Sequence, residues 1–351
     1  MHVDVMTEPA GLADIQQLAQ QIDNAGFSGI VFTEMRQPPW LSIAAAHQAA
    51  PDLHLATGIA VAFPRSPMLT AQIGWELAEA THGRFRLGLG SQVRAHIERR
   101  YGVEFDPPVA RMRDYVLAVR ASWAAFRDDA PLAHDGRFYR LSLLPAMGRP
   151  RRHGYEQLEV DIAAVGDAMV AVAGEVADGV HVHPLHSVPY LNDKLLPALA
   201  KGAASAGRSA IDVDLMIPVF AAPGDTPEAR AALVQRCRMQ IAFYGSTRNY
   251  AFQFDDLGFD GTSARLNERL KAGDMAGMAD LITDAMLDHF AIVGPWDEIA
   301  DRLVERYGGI ASRVVMYTAE SSIRSDPNAA PKWGEVARAV TAQTAGAPPV
   351  G

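Results

Sequence analysis

The stretch LHLATGIAVAFPRSPMLTAQIGWELAEATHGRFRLGLGSQ, residues 53–92, decides how this chain folds. Residues 53–60 are an apolar run of strand length, and residues 62–67 interrupt it with two prolines and an arginine. From 68 to 81, Leu69, Ile73, Leu77 and Ala80 recur at helical spacing, and His82-Gly83 ends the repeat. Residues 85–90 are again an apolar strand. Two fully apolar strands joined through a helix predict a parallel sheet covered by helices. The polar and special residues come after each strand, which is the end where such folds place their chemistry.

The same alternation extends in both directions. Residues 2–6 read as a strand with Asp4 set among apolar neighbours. A helix over 11–25 follows, with Ile15, Leu18, Ala19 and Ile22 on one face and Gly26 as its stop. Residues 30–33 form the second strand, running into Glu34-Met35-Arg36, and 40–50 the second helix. After 53–92 comes a polar insertion over 91–108 and a helix over 111–126. The pattern lapses over 128–154, where 138–141 suggests a small hairpin. Strands at 158–165, 179–183, 211–220 and 313–317 then alternate with helices at 168–176, 188–206, 227–243 and 295–307. Residues 244–290 hold extra, partly helical material, and a terminal helix is expected near 332–341. Eight strand-like runs alternating with helices favour a closed (β/α)8 TIM barrel with insertions after strands 4 and 7. One domain over 1–345 is expected, with a disordered tail at 346–351.

Bulk properties narrow the function. With 351 residues and 49% hydrophobic content the chain can bury one large core. A net charge of −9 argues against nucleic acid as a partner. No apolar run approaches the roughly 20 residues that cross a bilayer, and the N-terminus lacks the basic and apolar regions of a secretion signal. The single cysteine, Cys237, excludes an internal disulfide and fits a reducing cytoplasm. There is no phosphate loop, and Gly88-Leu89-Gly90 lacks the third glycine of a dinucleotide fingerprint.

Several motifs resemble the bacterial luciferase-like flavin and deazaflavin oxidoreductases. They are Gly26-Phe27 leading to Thr33-Glu34, then Thr57-Gly58-Ile59, then Pro64-Arg65-Ser66-Pro67, and then residues 83–90. Farther on, residues 165–169, 175–180 and 293–300 are similar to the same family. The run 88–100, ending GLGSQVRAHIERR, is most similar to the branch that uses coenzyme F420. The resemblance implies a cofactor ring at the C-terminal mouth of the barrel, propped by a non-proline cis peptide that would fall at Gly58–Ile59. It also implies a homodimer. The expected activity is hydride transfer between the deazaflavin F420 and a small alcohol, ketone or enone. The alternative is a monooxygenase using reduced FMN, and behind these stand a metal-dependent hydrolase and a non-catalytic flavin-binding barrel.

Candidate site residues follow from strand ends. Glu34, in the family's acidic position, is a candidate acid/base, or else the partner of Arg36 or Arg65 in a salt bridge. Arg65 could meet an anionic tail or pair with Glu34. Ser91, Gln92 and Arg94 follow the fourth strand, where an amide can read the ring's polar edge and Arg94 can meet phosphate. Gly166, Asp167 and Ala168 open a helix whose N–H groups can hold a phosphate, although the Asp167 carboxylate could instead cap it. His181 and His183 share one face of a strand. A metal site is not expected, because no partner ligands follow on later strands. His183 is the second candidate catalytic residue, as proton donor to substrate or hydrogen-bond partner of the cofactor, or else it is a structural histidine satisfied by backbone. Tyr101, Phe105, Phe138, Tyr139, Tyr244, Tyr250, Phe252 and Phe254 could line a pocket or pack the insertions, with 246–260 as a lid.

Overall fold

Strands that are apolar on both faces bury both only when one face meets a packed interior and the other a layer of helices. In the computed structural model, which describes residues 1–326 and 328–346, the chain does this by closing a barrel. The strands are β1 (His2–Thr7), β2 (Gly29–Phe32), β3 (His54–Thr57), β4 (Phe85–Gly90), β5 (Val160–Ala164), β6 (Gly179–Val182), β7 (Asp214–Pro223) and β8 (Arg313–Met316). All neighbours are parallel in chain order, and β8 returns to β1 with Val3 opposite Val314. The fold is the expected (β/α)8 barrel. All but Gly346 of the expected tail at 346–351 lies outside the described residues.

The helices that cover the barrel are α1 (Leu12–Ala25), α2 (Trp40–Ala49), α3 (Pro67–Ala80), α4 (Pro108–Asp128), α5 (Asp167–Val176), α6 (Leu196–Ser205), α7 (Pro227–Gly245), α8 (Ile299–Tyr307) and α9 (Ala329–Gln343). Sequence chemistry sets their ends. The Ser66 side chain accepts the Leu69 N–H with Pro67 in the first turn, so α3 starts there. Gly26 closes α1 at φ 93°, a conformation glycine adopts without a Cβ penalty. Among the described residues no helix is long and apolar enough to cross a membrane.

Three elements differ from the sequence expectation. The third strand does not run through to residue 60. It stops at Thr57, and a two-residue strand, Ala60–Val61, resumes against Leu89 and Gly90 of β4. The peptide bond between these pieces, Gly58–Ile59, is cis. The seventh strand is shifted to 214–223, because Ser209 caps a short turn over Ala210–Asp212 that takes the residues assigned to its start. A further strand, Ala291–Gly294, pairs with Phe220–Pro223, where β7 outlasts its barrel neighbours. Four residues wedged between a helix and a turn carry too little periodicity to be read as a strand.

Charge closes the floor of the barrel, at the N-terminal ends of its strands. Arg86 donates to both Asp161 carboxylate oxygens, at 2.7 and 2.8 Å, and also to Glu159 and Asp214. Arg313 donates to Asp4 at 2.9 Å, which explains an acid in the middle of an apolar strand. Burial opposes the charge on Asp161, but Arg86 and His181 hold its carboxyl below the usual carboxylate range. The insertion after β7 has its own apolar cluster, with Phe254, Leu266, Met278, Ile282 and Phe290 packed against Cys237 and Phe220.

Candidate active site

The mouth begins where β3 breaks. A Cβ on Gly58 would lie 2.3 Å from Val31 Cγ1, and one on Gly88 would lie 2.5 Å from His181 Nε2. The two glycines therefore make room for the His181 ring, which fills the barrel beneath the Gly58–Ile59 peptide. His181 Nε2 is 3.3 Å from the Asp161 carboxylate, so this imidazole belongs to the floor network. His183, two residues on along the same strand face, lies nearer the mouth.

Glu34 and Arg65 come together as the sequence allowed. Glu34 is buried and accepts hydrogen bonds from Arg65 Nη2 at 2.6 Å, Arg65 Nη1 at 2.8 Å and the Val61 N–H at 2.8 Å. Arg65 donates in addition to the Val61 carbonyl at 2.7 Å. The pair thus clamps the short strand that resumes after the cis peptide. Arg36, the other possible partner, is exposed and sits 4.0 Å from Glu8.

After β4, Gln92 takes a left-handed conformation at φ 57°, and its Oε1 accepts the Val93 N–H at 2.9 Å. The Ser91 hydroxyl donates to the Gln92 carbonyl at 3.3 Å. Both side chains are partly exposed. Arg94 is exposed, lies over the Phe105 ring and pairs with Glu98 and Asp106. Of the three, Arg94 is the most occupied by protein partners.

His183 has a defined chemical state. Its Nδ1 accepts the Leu185 N–H at 3.1 Å, which in a neutral ring places the proton on Nε2. Burial of the ring among protein atoms pushes its pKa down to about 3, so the imidazole is neutral at ordinary pH. Nε2 has no hydrogen-bond partner among the described residues. Tyr250 lies against the ring with centroids 4.3 Å apart, and Tyr244 meets it edge-on at 4.8 Å. Nearby His186 is used up structurally: its ring nitrogens meet the His183 carbonyl and the Tyr307 hydroxyl.

Gly166, Asp167 and Ala168 line an open cleft of roughly 810 Å³ together with Tyr190, Lys194, Lys201 and Phe252. Among the described residues the N–H groups of Asp167 and Ala168, the first two of α5, have no acceptor. Free N–H groups at a helix start, with two lysines opposite, are a donor set that fits a phosphate-bearing cofactor. Asp167 makes no side-chain cap on this helix, and Lys194 is shared with Asp256 at 2.6 Å. The segment 248–255 touches both regions, since Tyr250 packs on His183 and Phe252 on Tyr190.

The remaining aromatics divide cleanly. Tyr139 packs on Tyr115 and Phe105 on Phe63, while Phe254 is buried in the insertion's own core. Only Tyr244, Tyr250 and Phe252 reach the candidate site. Tyr317, just past β8, was not anticipated. Its hydroxyl is 2.6 Å from that of Tyr244. Its only sequence signal was its place directly after an apolar strand.

Comparison with known proteins shows the family and the fold. The model of the luciferase-like monooxygenase family matches residues 1–313. An uncharacterised protein of Mycobacterium tuberculosis is 39% identical over 307 residues, covering 88% of this chain and 90% of its own. A second protein of that organism, provisionally named a coenzyme F420-dependent oxidoreductase, is 25% identical over 324 residues, covering 88% and 92%. Among solved structures, the coenzyme F420-dependent tetrahydromethanopterin reductase of Methanopyrus kandleri superposes with a TM-score of 0.78 at 19% identity, covering 95% of this chain and 97% of that one.

Proposed function

Because this chain belongs to the luciferase-like monooxygenase family, a family of oxidoreductases, we propose that it transfers a hydride between coenzyme F420 and the carbonyl or carbinol carbon of a small organic substrate. The observation that carries the reading is the state of His183, a neutral imidazole with a free Nε2–H at the C-terminal end of β6. A neutral donor suits the oxygen of a ketone, an enone or an alcohol, because it stabilises developing negative charge without an anionic substrate to hold it in place. Neutral imidazole serves as an electrophile in this way in other enzymes.

The remaining residues take supporting roles in this reading. The N–H groups of Asp167 and Ala168, with Lys194 and Lys201, hold the phosphate end of the cofactor. Gly58 and Ile59 would meet the ring face, and Ser91 and Gln92 would meet its polar edge. Glu34 and Arg65 fix Val61 and hence the backbone next to that ring. When bound, the deazaflavin supplies or accepts the hydride; the protein positions the substrate and supplies the proton at its oxygen. The 25% identical relative and the sequence over 88–100 support F420 over FMN.

A fluorescence titration of the purified protein with F420 and with FMN tests this. Saturable binding of F420 at micromolar concentration, with no comparable binding of FMN, is the expected result. FMN binding alone shifts the assignment to the monooxygenase reading, and binding of neither removes the redox assignment.

A further inference from the structure

We propose that Tyr244 donates the hydroxyl proton to the substrate oxygen and that Tyr317 is a positioning residue that polarises it. This deepens the carbonyl-reduction reading above and rests on it. Three elements converge on the spot. Tyr244 is on the last turn of α7, Tyr317 directly follows β8, and His183 directly follows β6. Phe220 of β7 lies between them, edge-on to Tyr317 with centroids 5.0 Å apart.

The two hydroxyls are 2.6 Å apart and have no other side-chain or backbone partner among the described residues. In such a pair one hydroxyl donates and the other accepts, so the acceptor keeps its own O–H for a third group. Tyr244 is the ring in contact with His183, so its O–H is the one that can share a substrate oxygen with His183 Nε2–H. Tyr317 then donates to Tyr244, which strengthens the outer hydrogen bond in the cooperative sense. All three rings are only partly covered, as a wall of a substrate site requires.

Burial is the main reason both phenols stay protonated. Burial first, then the neighbouring tyrosine and Glu8, push the Tyr244 hydroxyl well above its ordinary range. Burial also raises Tyr317; the hydrogen bond with Tyr244 acts against that, as does Arg236, while Glu8 acts with it. His183 adds no charge. The site therefore presents two O–H or N–H donors to one oxygen.

The step balances as follows in the reducing direction. A bound reduced deazaflavin would supply the two electrons as a hydride, and at the carbonyl the carbon–oxygen π bond becomes an oxygen lone pair. That oxygen takes the proton from Tyr244, whose phenolate recovers one from Tyr317. Tyr317 is reprotonated from solvent at the mouth. In the oxidising direction each transfer reverses.

The test uses 4-nitrophenol, whose anion mimics the substrate oxygen and is read by its own absorbance with no turnover. The unsubstituted protein is expected to bind the nitrophenolate at least about tenfold more tightly than Y244F, the loss expected for one hydrogen bond to a charged group. Y317F, which removes the polarising bond and leaves Tyr244 in place, is expected to lose less. Both variants keep the aromatic ring, and F420 affinity is expected to be unchanged in both, which also reports an intact fold. Equal nitrophenolate affinity in the unsubstituted protein and Y244F overturns the proposal. Failure of the unsubstituted protein to bind F420 overturns the functional reading instead, while a nitrophenolate difference between it and Y244F would still show the donor site.

Discussion

Arg65 and Glu34 form a two-pronged ion pair across the mouth of the barrel, with contacts of 2.6 and 2.8 Å, and both residues also bond to the backbone of Val61. Glu34 is almost completely covered, so its charge depends on Arg65. Removing one member of such a pair leaves an uncompensated buried charge, at a cost of about 3–5 kcal/mol. Arg65→Ala is therefore expected to destabilise the protein by that order, and the double variant Glu34→Leu/Arg65→Leu by less. Urea unfolding of the three proteins gives the comparison. Equal stability of Arg65→Ala and the unsubstituted protein would show that the pair carries no such strain.

The floor network predicts a defect of a different kind. Arg86 neutralises Asp161, Glu159 and Asp214 at once. Arg86→Met leaves these acids facing one another, and we expect little folded protein at neutral pH. Asp161→Asn keeps the shape and one acceptor and should fold with reduced stability. Circular dichroism and the soluble yield distinguish the two variants.

Buried imidazoles give the stability a pH dependence of known sign. Burial lowers His183 to about 3, and it lowers His54 and His186 to about 4. In the unfolded chain they take up protons near pH 6.5. Between roughly pH 6.5 and 4 the unfolded state therefore binds more protons, and stability falls as the pH is lowered through that window. The urea midpoint should drop from pH 7.5 to pH 5, and His183→Gln should show a smaller drop. An identical slope in His183→Gln would mean that this ring does not titrate as described.

The helix start at Gly166 makes a prediction about the cofactor. Asp167 stands beside N–H groups suited to an anion. If they hold the coenzyme phosphate, Asp167→Asn should tighten F420 binding by about twofold to fivefold, the scale of a charge at a helix terminus. Lys201→Ala should weaken it. The fluorescence titration reads both, and no response in either variant would move the phosphate elsewhere.

The barrel was legible because its strands are apolar on both faces and regularly spaced, and 30–33, 85–90 and 313–317 needed little more than that. Glu34, His183 and the turn at 166–168 were readable as candidates because each stands at or just past the end of a strand, and Arg65 because it stands in a proline-bounded loop after one. Long-range pairing was not legible. Arg86 meets Asp161 and Asp214 across 75 and 128 residues, and nothing local in FRLGLG requires an arginine at its second position. The Tyr244–Tyr317 contact is equally non-local, at 73 residues. The break in β3 was implied only by the family resemblance, since ATGIAVA reads as a continuous strand by its residue types.

The insertion after β7 packs around its own apolar cluster and brings Tyr250 and Phe252 to the barrel's edge. The groups proposed for the coenzyme come from the ends of β2 to β5 and from Lys194 and Lys201 beyond β6. The insertion adds Tyr250 beside His183 and Phe252 beside Tyr190 from a separate, later block of sequence. Under that proposal, exchanging the insertion would change the wall beside His183 and leave most of the coenzyme groups in place. That marks residues 246–290 as the natural segment to exchange between relatives when a new substrate range is wanted.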